Sequence, residues 1–488
     1  MHDITKSGFD RPTRSPWIVL AVSAIAVFVV FLDTTALFVA YPDIRHSFPS
    51  VSSAALSWIL NAYTITFGAL LIPSGRLADR IGRKKVFLTG SVLFCIGSAL
   101  CGLAPNPTLL VASRVLQAGG AAFLVPASLA VVLTVFPRER IPVAVAIWGA
   151  VGALAAATGP TLGAALVEAF GWRSVFYLNL PITLFSVLAG RRVLSESKEE
   201  HPGPIPDSAS IVLLASSVAA LSLAVVEGDD WGWTSGRVIG SFAAAIVLGA
   251  IFIDRCSRVE SPLIDLSLFR SNNFRLANVA TFVYAIGFVA TFFGNIQFLT
   301  GVWHYSILRA GFAIVPGPLV VAALAPIAGS LAGRYGQRVL LVPGGLTIAA
   351  SQVWLATQVG ATPHWFAEWL PANLLIGLGV AMCLPQLSSA AVQGLPSDQF
   401  ASGSAINQAT RQVGSTIGVA MVVALVGTPS ATNAVARFER VWWMVALTGL
   451  VVSFTSSFLH RRTLVARGHP GRVGPEFDVR QRDETMAV

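Results

Sequence analysis

The stretch Gly75-Arg76-Leu77-Ala78-Asp79-Arg80-Ile81-Gly82-Arg83-Lys84-Lys85 decides the fold. It holds two glycines, one acid and five bases, with a long apolar run on each side. Hydrocarbon leaves such charges and turn amides unsatisfied, so the stretch reads as a short polar loop at a membrane surface. A weaker copy, Gly329 to Arg338, lies 254 residues later. Under that offset Gly75, Leu77, Ala78, Arg80, Gly82 and Gly90 match Gly329, Leu331, Ala332, Arg334, Gly336 and Gly344. A duplicated loop implies a duplicated membrane unit.

Working outward from the loop, the chain divides into fourteen apolar segments of roughly 17–25 residues, the length that crosses a bilayer as a helix. They include 17–40, 312–332, 367–390 and 441–459. The expected fold is an all-α, polytopic bundle of 14 transmembrane helices, two pseudo-symmetric six-helix halves plus two extra central helices. Its parts are a tail (1–16), a first half (17–194), a linker (195–208), the two extra helices (209–254), a second linker (255–275), a second half (276–460) and a polar tail (461–488). Composition agrees: 54% of the 488 residues are hydrophobic, 12% are charged, and mean hydropathy is +0.70. A soluble domain carries about 25% charge.

The net charge of +9 would suit a nucleic-acid partner, but the distribution of bases argues otherwise. Of 33 Lys and Arg, 25 fall in the tails and loops on the N-terminal side, 6 on the opposite side, and Arg114 and Arg411 inside spans. Positive loops stay cytoplasmic, so both termini are expected in the cytoplasm of an inner-membrane protein, and nucleic acid is excluded. The four cysteines lack metal spacing, and no phosphate-binding G-x-x-x-x-G-K-[ST] stretch occurs. No cofactor, metal or enzymatic group is expected.

Asp33 is the one acid deep inside a span. Ionisable groups there are costly and point to function. Asp33 lies about 24 Å along its span and Arg114 about 7 Å into a helix running the other way, which matches their depths. They are expected to form an ion pair that protonation of Asp33 releases. Arg411 lies roughly 13 Å into its helix, with no acid at its depth in the second half. Asn61, Gln117, Trp148, Asn295, Gln297, Asn407 and Arg411 are candidates for lining a substrate cavity. Gly152, Gly159, Pro160 and Gly163 permit close helix contact and a kink.

These motifs resemble the major facilitator superfamily. The loop at Gly75–Lys85 is similar to its signature between helices two and three. Arg114-Val-Leu-Gln117-Ala-Gly119 is similar to its fourth-helix motif, and Gly152 to Gly159-Pro160 to Gly163 resembles its antiporter motif. With fourteen spans and Gly171-Trp172-Arg173 opening helix six, the resemblance is to the drug:proton antiporter branch. That branch has an Asn in helix one where this chain has Phe38. The resemblance implies a proton-coupled efflux antiporter for hydrophobic or cationic small molecules, driven by the proton gradient and working by alternating access. Expected partners are the substrate, protons and the bilayer, with a periplasmic adaptor as a further candidate. A lipid or secondary-metabolite exporter and a non-transporting receptor or scaffold are the alternatives. Gly75, Asp79, Arg80, Gly82 and Arg83 then form a cytoplasmic charge latch, one-sided because Gly333 replaces Asp79 in the copy.

Overall fold

The computed structural model describes residues 15–137, 140–199, 207–393, 395, 399–427 and 433–459. The expected terminal tails and the proline-bearing middle of the first linker fall outside these. Helices account for the described architecture: α1 Pro16–Ser47, α2 Ser53–Ile81, α3 Arg83–Leu103, α4 Pro107–Val135, α5 Ile141–Phe170, α6 Arg173–Val193, α7 Ser208–Val226, α8 Gly236–Arg258, α9 Asn272–Gly301, α10 Pro316–Tyr335, α11 Arg338–Gln358, α12 Leu370–Val392, α13 Phe400–Val426 and α14 Ala434–Ser457. A short helix, Ile307–Ala313, leads into α10. Among the described residues, twelve spans are long and apolar enough to cross a membrane, with the short helix and α10 counted as one. The remaining helices, α5 with 30 residues and α14 with 24, have the length to cross. Several helices outrun the apolar segments that announced them. The first reaches Ser47 rather than residue 40, because the helix continues through its polar end.

Caps set the ends. Ser52, Asn106 and Asp207 accept hydrogen bonds from the amides of Ala55, Leu109 and Ser210, supplying acceptors for otherwise orphaned donors. Gly82 ends α2 at φ 122° and Gly336 ends α10 at φ 89°, a left-handed backbone that glycine adopts without strain. These glycines are 254 residues apart, so the repeated loop is a repeated helix stop.

The repeat also governs packing. A Cβ on Gly90 of α3 would stand 2.9 Å from the Gly120 carbonyl of α4. A Cβ on Gly344 of α11 would stand 3.4 Å from the Gly379 carbonyl of α12. Small residues thus bring the equivalent helix pair together in each half. In the first half Gly120 makes this crossing. Its neighbour Gly119 has only Leu70 nearby, at 3.9 Å.

The halves meet along α2 and α13. There the Thr64 and Thr416 hydroxyls are 2.7 Å apart, and Gly68 makes room for Gln412. The extra helix α7 lies over this seam, against both α2 and α13, and α8 packs on α7. We call the end carrying the start of α1 the near end and its opposite the far end. At the far end, Tyr41 of α1 meets Phe293 of α9 edge-on with ring centroids 4.9 Å apart. Gly311 of the short helix sits on Ala164 of α5, where an added Cβ would lie 2.7 Å from the alanine methyl. The far-end core therefore runs continuously through both halves. The near-end core of the first half, with Val29, Val86 and Val131, stays separate. Contacts between the halves close the far end, while at the near end Ile72 of α2 packs against a separate small core of Leu268, Phe274 and Ile406.

Candidate functional site

The centre of the first half is a buried polar network on α1, α3, α4 and α6. Asp33 Oδ2 accepts from Arg114 Nη1 at 2.6 Å, and both side chains are at most 1% exposed. Asp33 Oδ1 accepts from Gln117 Nε2 at 2.9 Å and from Asn179 Nδ2 at 2.7 Å. Three donors around one carboxyl suit an ionised, acceptor-only carboxylate. Arg114 also donates to Gln117 Oε1 at 2.6 Å and from Nε to the Ile59 carbonyl at 3.2 Å. Its guanidinium carbon lies 4.0 Å from the Tyr63 ring centroid, a cation–π contact. Ser98 Oγ accepts from Gln117 Nε2 at 2.8 Å.

This arrangement is matched to one protonation state. A proton on Asp33 would turn one acceptor into a donor among three donors, and a side chain would have to turn away. Asn179 Oδ1 is buried with no hydrogen-bond partner. Rotating that amide by half a turn would offer a protonated Asp33 an acceptor.

α1 carries this network directly into the packing. One turn beyond Asp33, Thr35 and Ala36 receive α5: a Cβ on Gly159 would collide with the Thr35 hydroxyl, and one on Gly163 would stand 2.8 Å from the Ala36 Cβ. Gly152 sits against Val27, six residues before Asp33 on the same helix. Pro160 lies inside α5, and its carbonyl faces Gly311 of the other half. One turn further along α1, Phe38 and Tyr41 contact Phe293 across the halves. The acid, the α5 seat and the inter-half contact thus occupy nine consecutive residues.

The cavity candidates do not form one lining. Gln117 belongs to the Asp33 network. Asn61 is buried and donates to Ser57 Oγ at 3.4 Å. Trp148 donates to Ser128 Oγ at 3.1 Å, and Asn407 donates to Thr281 Oγ1 at 2.9 Å and Asn278 Oδ1 at 3.2 Å. Asn295 accepts from Trp442 Nε1 at 3.2 Å and lines an apolar recess of about 100 Å³ between α9, α10 and α12. Gln297 lies elsewhere, in a far-end crevice with Tyr41, Arg45 and His46. Arg411 is half-buried. Asn179, Ser98 and Tyr63 are the network members that the sequence reading left out of its candidate set. The signal available was an amide in a span at the depth of Asp33.

At the near end, Arg83 donates to Asp79 Oδ1 from Nη2 at 2.9 Å and Nε at 3.1 Å. The segment after α6 is stitched to this loop. The Glu199 amide donates to the Asp79 carbonyl and the Arg83 amide to the Ser197 carbonyl, each at 3.0 Å. Gly82 lies beneath the Glu196 carboxylate, and Gly75 packs near Pro126 of α4. Arg80 is exposed. Among the described residues, the partners of Asp79 and Arg83 all belong to the first half and its linker. Among the described residues, no cluster of side chains suits a metal ion.

Residues 23–419 match the Major Facilitator Superfamily. The chain is 34% identical over 412 residues to the multidrug resistance protein Stp of Mycobacterium tuberculosis, covering 84% of this chain and 75% of that one. It is 32% identical over 419 residues to the multidrug efflux pump LfrA of Mycolicibacterium smegmatis, covering 85% and 82%. It is 31% identical over 414 residues to the tetracenomycin C resistance and export protein of Streptomyces glaucescens, covering 83% and 75%. Among solved structures, a POT family transporter bound to 5-aminolevulinic acid superposes with a TM-score of 0.65 at 18% identity, covering 92% of this chain and 98% of that one.

Proposed function

Because the chain belongs to the Major Facilitator Superfamily and is a multi-pass membrane transporter rather than an enzyme, we propose that it exports small hydrophobic molecules across the cytoplasmic membrane in exchange for protons. The observation that carries this reading is the buried Asp33–Arg114 pair, whose surroundings are complete for the carboxylate and incomplete for the acid. Three relatives whose names denote drug resistance or efflux support export as its direction.

The cycle follows from α1. With cytoplasmic termini, the near end faces the cytoplasm, and the closed far end makes this the inward-facing state. Substrate enters from the cytoplasm or the inner leaflet. Protonation of Asp33 removes the charge that anchors Arg114, Gln117 and Asn179. The change passes through Thr35 and Ala36 to α5, and through Phe38 and Tyr41 to α9. Release of the proton restores the pair. One charge crossing the membrane is worth about 2.3 kcal/mol per 100 mV, enough to bias such a two-state element. The relative rocking of two repeats around a midplane site is the motion their duplicated packing allows.

The test is a panel of hydrophobic dyes in proteoliposomes with an imposed pH gradient. Wild type should move at least one dye in a gradient-dependent way, and Asp33→Asn should lose that dependence. Undiminished pH dependence in Asp33→Asn sinks the proton role.

A further inference from the structure

We infer that Asn179 is a positioning residue for the proton on Asp33. Its carboxamide donates to the carboxylate, turns half round when Asp33 takes a proton, and then accepts from the acid. α1 thereby stays bonded to α6 in both states. This rests on the proton-exchange reading above and deepens it.

The acceptors around Asp33 single this residue out. A proton on Oδ1 needs an acceptor, and three side chains bond to the carboxyl: Arg114, Gln117 and Asn179. A guanidinium has no acceptor to offer. Gln117 Oε1 is already taken by Arg114 Nη1 at 2.6 Å, and turning that amide would set its Nε2 against the cation. Asn179 Oδ1 is the acceptor left over, buried and without a hydrogen-bond partner. The side chain belongs to a residue only 1% exposed, so bulk water does not reach it. An idle buried acceptor is costly, and native interiors hold few of them.

Ser98 supplies the complement. Its Oγ accepts from Gln117 Nε2 at 2.8 Å and from Asn179 Nδ2 at 3.4 Å, and it donates to none of the described residues. In the carboxylate state the cluster thus holds one idle acceptor and one idle donor. A half-turn about the Cβ–Cγ bond exchanges the two ends of the Asn179 amide. Oδ1 then stands where Nδ2 stood, within reach of both Asp33 Oδ1 and Ser98 Oγ. Its two lone pairs accept from the acid and from the hydroxyl. Nδ2 moves to the place that Oδ1 left, so one unpartnered atom replaces another. Thr183 Oγ1 donates to the Asn179 backbone carbonyl at 2.6 Å, so the backbone is held while the side chain turns.

This divides the network along a definite line. The proton comes from the gradient and returns to it, and no other covalent bond changes. Arg114 keeps Gln117, the Ile59 carbonyl and the Tyr63 ring, all on α2 and α4. Asp33 keeps Asn179 on α6. Protonation therefore loosens α1 from α4 while α1 and α6 remain joined.

The experiment is infrared difference spectroscopy between high and low pH on the full chain in lipid. A carboxylic acid that donates a hydrogen bond absorbs at lower frequency than a free one. Wild type should gain, at low pH, a hydrogen-bonded acid band that Asp33→Asn abolishes. Asn179→Leu, close to Asn in shape but unable to accept, should move that band to higher frequency. Asn179→Gln, which keeps the amide, should return it towards the wild-type position. Asn179→Val carries the same expectation as Asn179→Leu where the latter fails to reach the membrane. Ser98→Ala removes a neighbour but no acceptor for the acid, and should leave the band near its wild-type position. A band unmoved by Asn179→Leu overturns the proposal, and so does one moved as far by Ser98→Ala, which would reduce Asn179 to a packing residue. A wild-type band at the free-acid frequency overturns it without any variant. Absence of any band that Asp33→Asn abolishes sinks the proton-exchange reading itself, and the role of Asn179 with it.

Discussion

The carboxylate of Glu168, at the far end of α5, accepts a hydrogen bond from the Leu308 amide at 2.9 Å, and the bond crosses from the first half to the second. It ties the last turns of α5 to the start of the short helix that sits on Ala164. Opening the far end must break it. A hydrogen bond of this kind contributes about 1 kcal/mol net, so Glu168→Ala should shift the balance towards the far-end-open state by about fivefold. Thiol labelling of a cysteine placed at Ala310, which is buried in the closed far end, would read the shift. Unchanged labelling would leave the bond without a gating role.

The α1–α5 contact is stricter. Gly159 and Gly163 receive Thr35 and Ala36 at distances that leave no room for a side chain. Overpacking typically costs about 1–3 kcal/mol, and here it falls between the Asp33 network and the inter-half contacts. Gly159→Leu and Gly163→Leu should abolish transport while the protein still reaches the membrane. Gly152→Ala, with Val27 at 3.2 Å from the added methyl, should be milder. Transport assays alongside membrane quantification check the order.

The Asp33–Arg114 pair separates stability from coupling. Removing one partner of a buried pair strands the other charge and costs about 3–5 kcal/mol. Asp33→Asn and Arg114→Gln should each lower thermal stability markedly. The double variant should recover much of the loss, since two amides can satisfy one another, yet remain uncoupled from pH. Melting curves of the two singles and the double form a double-mutant cycle. Additive losses would mean that the two residues do not act as a pair.

These sites differ in how openly the sequence declared them. Apolar runs gave the helices, because lipid permits little else. Depth arithmetic brought Asp33 to Arg114, since rise per residue is fixed. Asn179 was harder. Its role depends on α1, α4 and α6 converging, and the face a polar residue presents inside an all-apolar bundle leaves no periodic trace. For the same reason Gln117 passed for a cavity residue when it belongs to the network, and Asn295 and Gln297, two residues apart, were grouped although they open onto different spaces. The placement of α7 over the α2–α13 seam has no local signature, since its serines are spread round the helix and mark no face.

The Gly75–Lys85 loop yields the last prediction. Asp79 and Arg83 are partly exposed, and an exposed pair contributes about 0.2–1 kcal/mol. Asp79→Asn should therefore leave the melting temperature nearly unchanged. The bonds from Glu199 and Arg83 nevertheless clamp the post-α6 segment onto the α2–α3 turn, so rearranging that turn in the alternate state requires the clamp to let go. Asp79→Asn should then reduce turnover more than substrate affinity. Gly82→Ala should cost more than Asp79→Asn in both stability and turnover, since its φ of 122° strains any side chain and Glu196 occupies the space a methyl needs. The copy carries Gly333 in place of Asp79, so Gly333→Asp should not mimic the latch unless a partner for the new carboxylate stands within reach. Turnover and binding measured on the three variants decide the matter, and equal loss of affinity and turnover in Asp79→Asn would count against a latch.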